Sequence, residues 1–172
     1  MIYLDSGATS FRKPPEVYRA VLEAMHSCAN PGRGGYGAAR RAGEVVYGCR
    51  EAAGELFHCL PEQGGLTANC THGLNLAIHS CIHPGSTVVI SGFEHNAVTR
   101  PLHALKARIT VAGRRLFDWD AMLEEFEAAL QKGQDAAVFT HVSNVFGYIL
   151  PVSQMAALCH KYGVPFLVDA AQ

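Results

Sequence analysis

Apolar positions along the chain follow two periods. Residues 109–111 read as a strand, and residues 87–91 (Thr-Val-Val-Ile-Ser), 136–140 and 165–168 are short, almost wholly apolar runs bounded by Gly, Pro or Asp. That is the pattern of strands buried on both faces. Residues 73–82, 98–106, 119–130 and 152–162 instead carry apolar residues at helical spacing. In 119–130 the inward stripe is Met122, Leu123, Phe126 and Leu130, and Asp118 stands where an N-cap belongs. The first third of the chain reads differently. Residues 2–4 predict a short strand, closed by Asp5-Ser6-Gly7. Residues 14–27 predict a helix opened by Pro14, with Val17, Ala20, Val21, Ala24 and Met25 inward. A glycine-rich loop follows at 30–37. A second helix is predicted over 38–57, with Ala42, Val45, Val46, Cys49, Ala53 and Leu56 inward, and 65–68 reads as a short extended segment.

Helices alternating with apolar strands predict an α/β fold: a mostly parallel central sheet flanked by helices. In such sheets ligands bind just past the carboxyl ends of strands. The residues that follow each strand are therefore the candidates for chemistry.

Composition narrows the function. A chain of 172 residues, 49% hydrophobic, can bury one core and is short for two. The net charge is −1, and Arg40-Arg41 and Arg114-Arg115 are isolated basic doublets, so no nucleic-acid partner is expected. No apolar run approaches ~18 residues, so no membrane span is expected. The opening Ile2-Tyr3-Leu4-Asp5 lacks the pattern of a signal peptide. Six cysteines without a C-x-x-C pair read as reduced thiols of a cytoplasmic protein. His79 and His83 are four apart, but Pro84 ends the helix there and no third ligand has suitable spacing, so no metal site is expected.

Residues 32–37 formally match G-x-G-x-x-G, yet a helix and Asn30-Pro31 precede them where a dinucleotide site needs a strand; a turned loop is the better reading. Asn69-Cys70-Thr71-His72-Gly73 lies at the start of a predicted helix. Unpaired N–H groups, the Thr71 hydroxyl and Gly73 make a phosphate cradle there without a lysine, and Thr71 as a plain N-cap is the equal alternative. His95, after the 87–91 strand, can stack on a planar ring or move a proton, or be an ordinary surface histidine. Asn144 is a directional donor at another strand end, or the holder of a turn. Asp169 ends an apolar strand with no basic residue beside it in sequence. A buried carboxylate is costly unless a cation meets it, and a protonated pyridine nitrogen would serve. Ala170 and Ala171 leave room for a flat ring. A metal-binding or helix-capping Asp is the alternative.

Six segments in this order resemble the cysteine desulfurase and selenocysteine lyase family of class-V, fold-type I enzymes. They are residues 3–9 with Lys13-Pro14, the 30–36 loop, 69–77, Glu94-His95-Asn96-Ala97, 141–147 and 168–172. The resemblance implies pyridoxal 5'-phosphate (PLP) as cofactor and L-cysteine as the substrate, its sulfur passing to an enzyme cysteine and leaving L-alanine. It implies that Cys70, Thr71 and His72 hold the phosphate, with His72 standing where the family often has an acidic residue. It further implies that His95 stacks on the ring and moves protons, that Asn144 and Gln172 bond the phenolic oxygen, that Asp169 pairs with the ring nitrogen, and that Ala171 packs on the opposite face. A homodimer and a sulfur-acceptor protein are implied partners. The family's Schiff-base lysine lies in a Ser/Gly-x-His-Lys stretch that residues 1–172 do not contain, and none of the six cysteines maps to the sulfur acceptor. The chain is thus expected to be an incomplete N-terminal portion of the PLP-binding large domain, inactive alone. Selenocysteine lyase, aminotransferase or epimerase chemistry, or a non-catalytic dimerisation module of the same fold, are the alternatives.

Overall fold

The computed structural model describes residues 2–172. The chain forms two compact units, Met1–Leu66 and Thr67–Gln172. The first holds α1 (Pro15–Ser27), α2 (Gly37–Phe57) and a one-turn 3-10 helix at Pro61–Gln63. Pro14 and Pro15 open α1 with the fixed φ that a first turn needs. Both helices match the expected spans, but their expected inward faces are not buried. In α1 nothing is buried, and Met25 is 76% exposed. In α2 Ala42 is buried as expected, whereas Val45, Cys49 and Leu56 stay at the surface. A unit of two helices and a turn has too little interior to cover both apolar stripes.

The expected strand at 2–4 is absent. Tyr3 instead donates its hydroxyl to the carbonyls of Asp5 (3.2 Å) and Thr9 (2.7 Å), and its ring packs on Phe11 at 5.3 Å. Three apolar residues without a neighbouring strand cannot satisfy their backbone as a sheet. The 65–68 segment likewise joins no sheet.

The second unit is the α/β layer structure. In chain order it contains α3 (Cys70–Cys81), β1 (Thr87–Ile90), α4 (Asn96–Ala104), β2 (Arg108–Val111), α5 (Trp119–Gln131), β3 (Ala136–Thr140), α6 (Val152–Tyr162) and β4 (Phe166–Asp169). The strands pair in parallel in the order β2-β1-β3-β4. Side chains alternate across the sheet. Val88, Ile90, Ala136 and Val138 meet Leu74, Ile78, Val98 and Leu102 of α3 and α4. Val89, Ala137 and Phe139 meet Met122, Phe126, Leu130 and Met155 of α5 and α6. Asp118 caps α5 through Oδ1, which accepts from the Ala121 N–H at 3.1 Å. One correction concerns β4, expected to be fully buried. It is an edge strand: Phe166 and Leu167 are half-buried and Val168 is 40% exposed, leaving Asp169 as its buried residue.

The chain leaves β1 for β2 on one side and returns past β1 to β3 on the other. The strand order therefore reverses between β1 and β3, and the carboxyl ends of those two strands flank a crevice.

Candidate functional site

Three loops rise from that edge: 91–95 after β1, 141–151 after β3, and 170–172 after β4. The start of α3 adds the fourth wall. That helix begins three residues earlier than its apolar spacing suggests, because Asn69 is the N-cap. Its Oδ1 accepts from the His72 N–H at 2.8 Å and its carbonyl accepts from the Gly73 N–H at 3.1 Å. Thr71 is therefore not the cap, and its carbonyl is occupied by Asn75 Nδ2 at 2.8 Å. Cys70, Thr71 and His72 all sit in the first turn. Among the described residues nothing accepts from the N–H of Cys70 or Thr71. Two unclaimed donors at the positive end of a helix form the cradle that an anionic group requires.

Asp169 is 4% exposed at the tip of β4. Its Oδ1 accepts from the Ala171 N–H at 3.1 Å and from the Cys70 thiol at 3.6 Å, and its carbonyl accepts from the His141 N–H at 2.8 Å. No Lys, Arg or His among the described residues forms an ion pair with it. Burial, then the nearby Asp169 charge and the hydrogen bond to it, push the Cys70 thiol up, so it remains a protonated donor. The geometry thus joins α3 to β4 and leaves a buried carboxylate without a cation.

His95 is the N-cap of α4: its Nδ1 accepts from the Ala97 N–H at 3.1 Å. With Nδ1 accepting, the proton of the neutral ring sits on Nε2. Thr71 and His95 line one cleft of about 410 Å³ between α3 and α4, with Asn75, His79, Asn96 and Arg100. His79 lies in α3 while His83 falls beyond its end, so the two do not share a helix face.

Asn144 is exposed in a small antiparallel excursion above β3, closed by the Val142–Ile149 bridge. The buried Ser143 shapes it. Its hydroxyl accepts from the N–H groups of Val145 (3.4 Å) and Phe146 (3.3 Å). Ala171 and Gln172 are exposed beyond β4. Asn69, Ser143, Thr140 and Glu94 shape the site through contacts that the sequence pattern alone does not assign to it. Asn69 had a legible signal, a cap-type residue just before an apolar helix. Glu94 stands beside His95 in the sequence, and its carboxyl bridges the turn after β1 and the tip of β3.

Comparison with known proteins adds the family. The chain is 31% identical over 182 residues to a cysteine desulfurase of Cronobacter sakazakii, an alignment covering 100% of this chain and 44% of that protein. The apo structure of a cysteine desulfurase from Thermococcus onnurineus NA1 matches with a TM-score of 0.86 at 27% identity, over 99% of this chain and 44% of that one. C-DES, solved with glycine covalently linked to its PLP cofactor, shares the fold at a TM-score of 0.77 and 18% identity, over 92% of this chain and 44% of that one. The chain spans less than half the length of each of these proteins. Residues 2–172 match the aminotransferase class-V family throughout, and the chain belongs to that family.

Proposed function

We propose that this chain forms the N-terminal part of the PLP-binding large domain of a cysteine desulfurase-like enzyme acting on L-cysteine in the cytoplasm. The observation that carries the reading is Asp169: a carboxylate buried at the crevice edge, held on one oxygen by Cys70 and Ala171, with no ion-pair partner among the described residues. The positive nitrogen of a protonated pyridine supplies that cation, and the carboxylate raises the basicity of the nitrogen in return. The anionic phosphate suits the unclaimed N–H groups of Cys70 and Thr71, the Thr71 hydroxyl and the neighbouring His72. When bound, PLP supplies an electron sink for negative charge at the α-carbon of an amino acid.

The remaining roles belong to the chain's own residues. His95 presents its Nε2 proton with the ring orientation set by the Ala97 N–H, and so can stack and exchange a proton at that atom. Asn144 and Gln172 orient the phenolic oxygen, and the small Ala171 lets the ring lie flat. The covalent lysine and the sulfur-accepting cysteine come from outside residues 1–172, so this chain alone binds the cofactor non-covalently and releases no sulfide from L-cysteine. Exposed apolar residues such as Met25, Leu56 and Phe57 favour association, and we assign the full protein a homodimer that passes sulfur to an acceptor protein.

The test uses pyridoxamine 5'-phosphate, which has no aldehyde to react with Lys13, Lys106, Lys132 or Lys161. Saturable binding, competed by PLP and lost in D169A with the fold retained, is the expected result. Binding that survives D169A, or sulfide release by this chain with PLP and L-cysteine, overturns the assignment.

A further inference from the structure

The sheet is spliced at its switch point by a side chain. The register of β1 on β3 ends at Ile90–Val138, so the Thr140 N–H lies beyond the last β1 residue that could accept it. Glu94 Oε1 accepts it instead at 2.9 Å, and the same oxygen accepts from the Ser91 hydroxyl. Ser91 Oγ accepts in turn from the Phe93 N–H at 3.0 Å, which closes the turn that leads into His95. On the other side Thr140 is the register partner of Asp169. One carboxyl therefore connects the His95 turn, the tip of β3 and the strand that carries Asp169.

The two oxygens of Glu94 are used unequally. Oε1 takes both donors, while Oε2 is buried and has no partner among the described residues. An ionised carboxylate shares its charge over both oxygens and would leave half of it bare. A protonated acid has one carbonyl oxygen able to accept two hydrogen bonds, and the proton on the other oxygen removes the bare charge and leaves a single unpaired hydroxyl in its place. We infer that Glu94 is a positioning residue which, as a neutral acid, ties the His95 turn to the tip of β3 and holds it in register with Asp169. This deepens the proposed cofactor site and rests on that reading for its functional meaning. Burial pushes the Glu94 carboxyl up to about 7, against the opposing pull of the Ser91 and Thr140 bonds, and the Asp169 charge adds to the rise.

Glutamine is isosteric with a protonated glutamate, and its carbonyl accepts the same two bonds. The experiment compares E94Q with E94A in two readouts. The first is hydrogen exchange at the Thr140 amide, followed by NMR without any ligand. The second is the affinity for pyridoxamine 5'-phosphate. We expect E94Q to keep both within about threefold of the unsubstituted chain. E94A should speed exchange at Thr140 and weaken binding by about tenfold or more, the effect of losing a buried acceptor. Should E94A lose amide dispersion as a whole, S91A, which removes one of the two donors, takes its place with the same expected direction. An E94A chain with Thr140 still protected or with unchanged affinity overturns the inference, as does E94Q behaving like E94A. If the unsubstituted chain fails to bind the ligand, the cofactor reading falls, and Thr140 exchange alone decides whether the tie exists.

Discussion

Glu94 gives the chain a pH-dependent stability whose sign and size follow from its burial. Its carboxyl is pushed from 4.5 up to about 7 in the folded state. Between those values the folded chain holds a proton that the unfolded chain has released, so stability falls as pH rises. The contribution is intact below about pH 4.5, declines through the interval, and is fully lost above about pH 7. At 1.36 kcal/mol for each unit, the loss comes to about 3 kcal/mol. That is a sizeable share of the ~5–15 kcal/mol that keeps a domain folded. Other shifted groups act outside this window. The lowered carboxyls of Glu127 and Asp135 withdraw stability only as the medium becomes acid, and the thiols of Cys70 and Cys159 are pushed up from an already alkaline range. Urea unfolding at about pH 5, 6, 7 and 8 provides the assay. The unsubstituted chain should lose about 2–3 kcal/mol across the series more than E94Q does, the first part of the loss lying below pH 5. Parallel curves for the two chains would refute the reasoning, because they would place the titrating group elsewhere.

Three further outcomes test the packing and the thiols. Phe126→Ala should cost about 3–5 kcal/mol in urea unfolding, since the ring is fully buried and meets Phe139 edge-on at 4.9 Å. A loss below about 1 kcal/mol would mean that α5 does not pack on the sheet in this way. Asp118→Ala should cost about 1 kcal/mol through the orphaned Ala121 N–H, with Asp118→Asn close to neutral in the same assay. On mapping by alkylation and mass spectrometry, the exposed Cys49, Cys59 and Cys81 should react first. Cys159, buried in the core and pushed up to about 11 by that burial, should react last. Early labelling of Cys159 would contradict its place between α6 and the sheet.

Local chemistry made the second unit legible in advance. The apolar runs at 87–91 and 136–140 could satisfy water on neither face, so they had to be central strands, and they are β1 and β3. The stripe of Met122, Phe126 and Leu130 had to face a core, and it does. Asp118 announced its cap by type and place. The same logic failed in the first unit, where Val17, Val21 and Met25 form a clean stripe that nothing in that unit covers. Periodicity says that a face is apolar; it does not say what lies opposite.

The candidate site divides along the same line. The sequence by itself determined which residues stand at strand and helix ends: Cys70 and Thr71 at α3, His95 after β1, Asn144 after β3, Asp169 closing β4. Each of those positions follows from a local period and its interruption. Only the tertiary structure decided that Cys70 meets Asp169 across ninety-nine residues of chain and that Glu94 replaces a missing sheet acceptor for Thr140. Those are contacts between segments remote in sequence. They depend on the order β2-β1-β3-β4 and on which buried polar atoms remain unsatisfied once that order is set, and no local pattern encodes either.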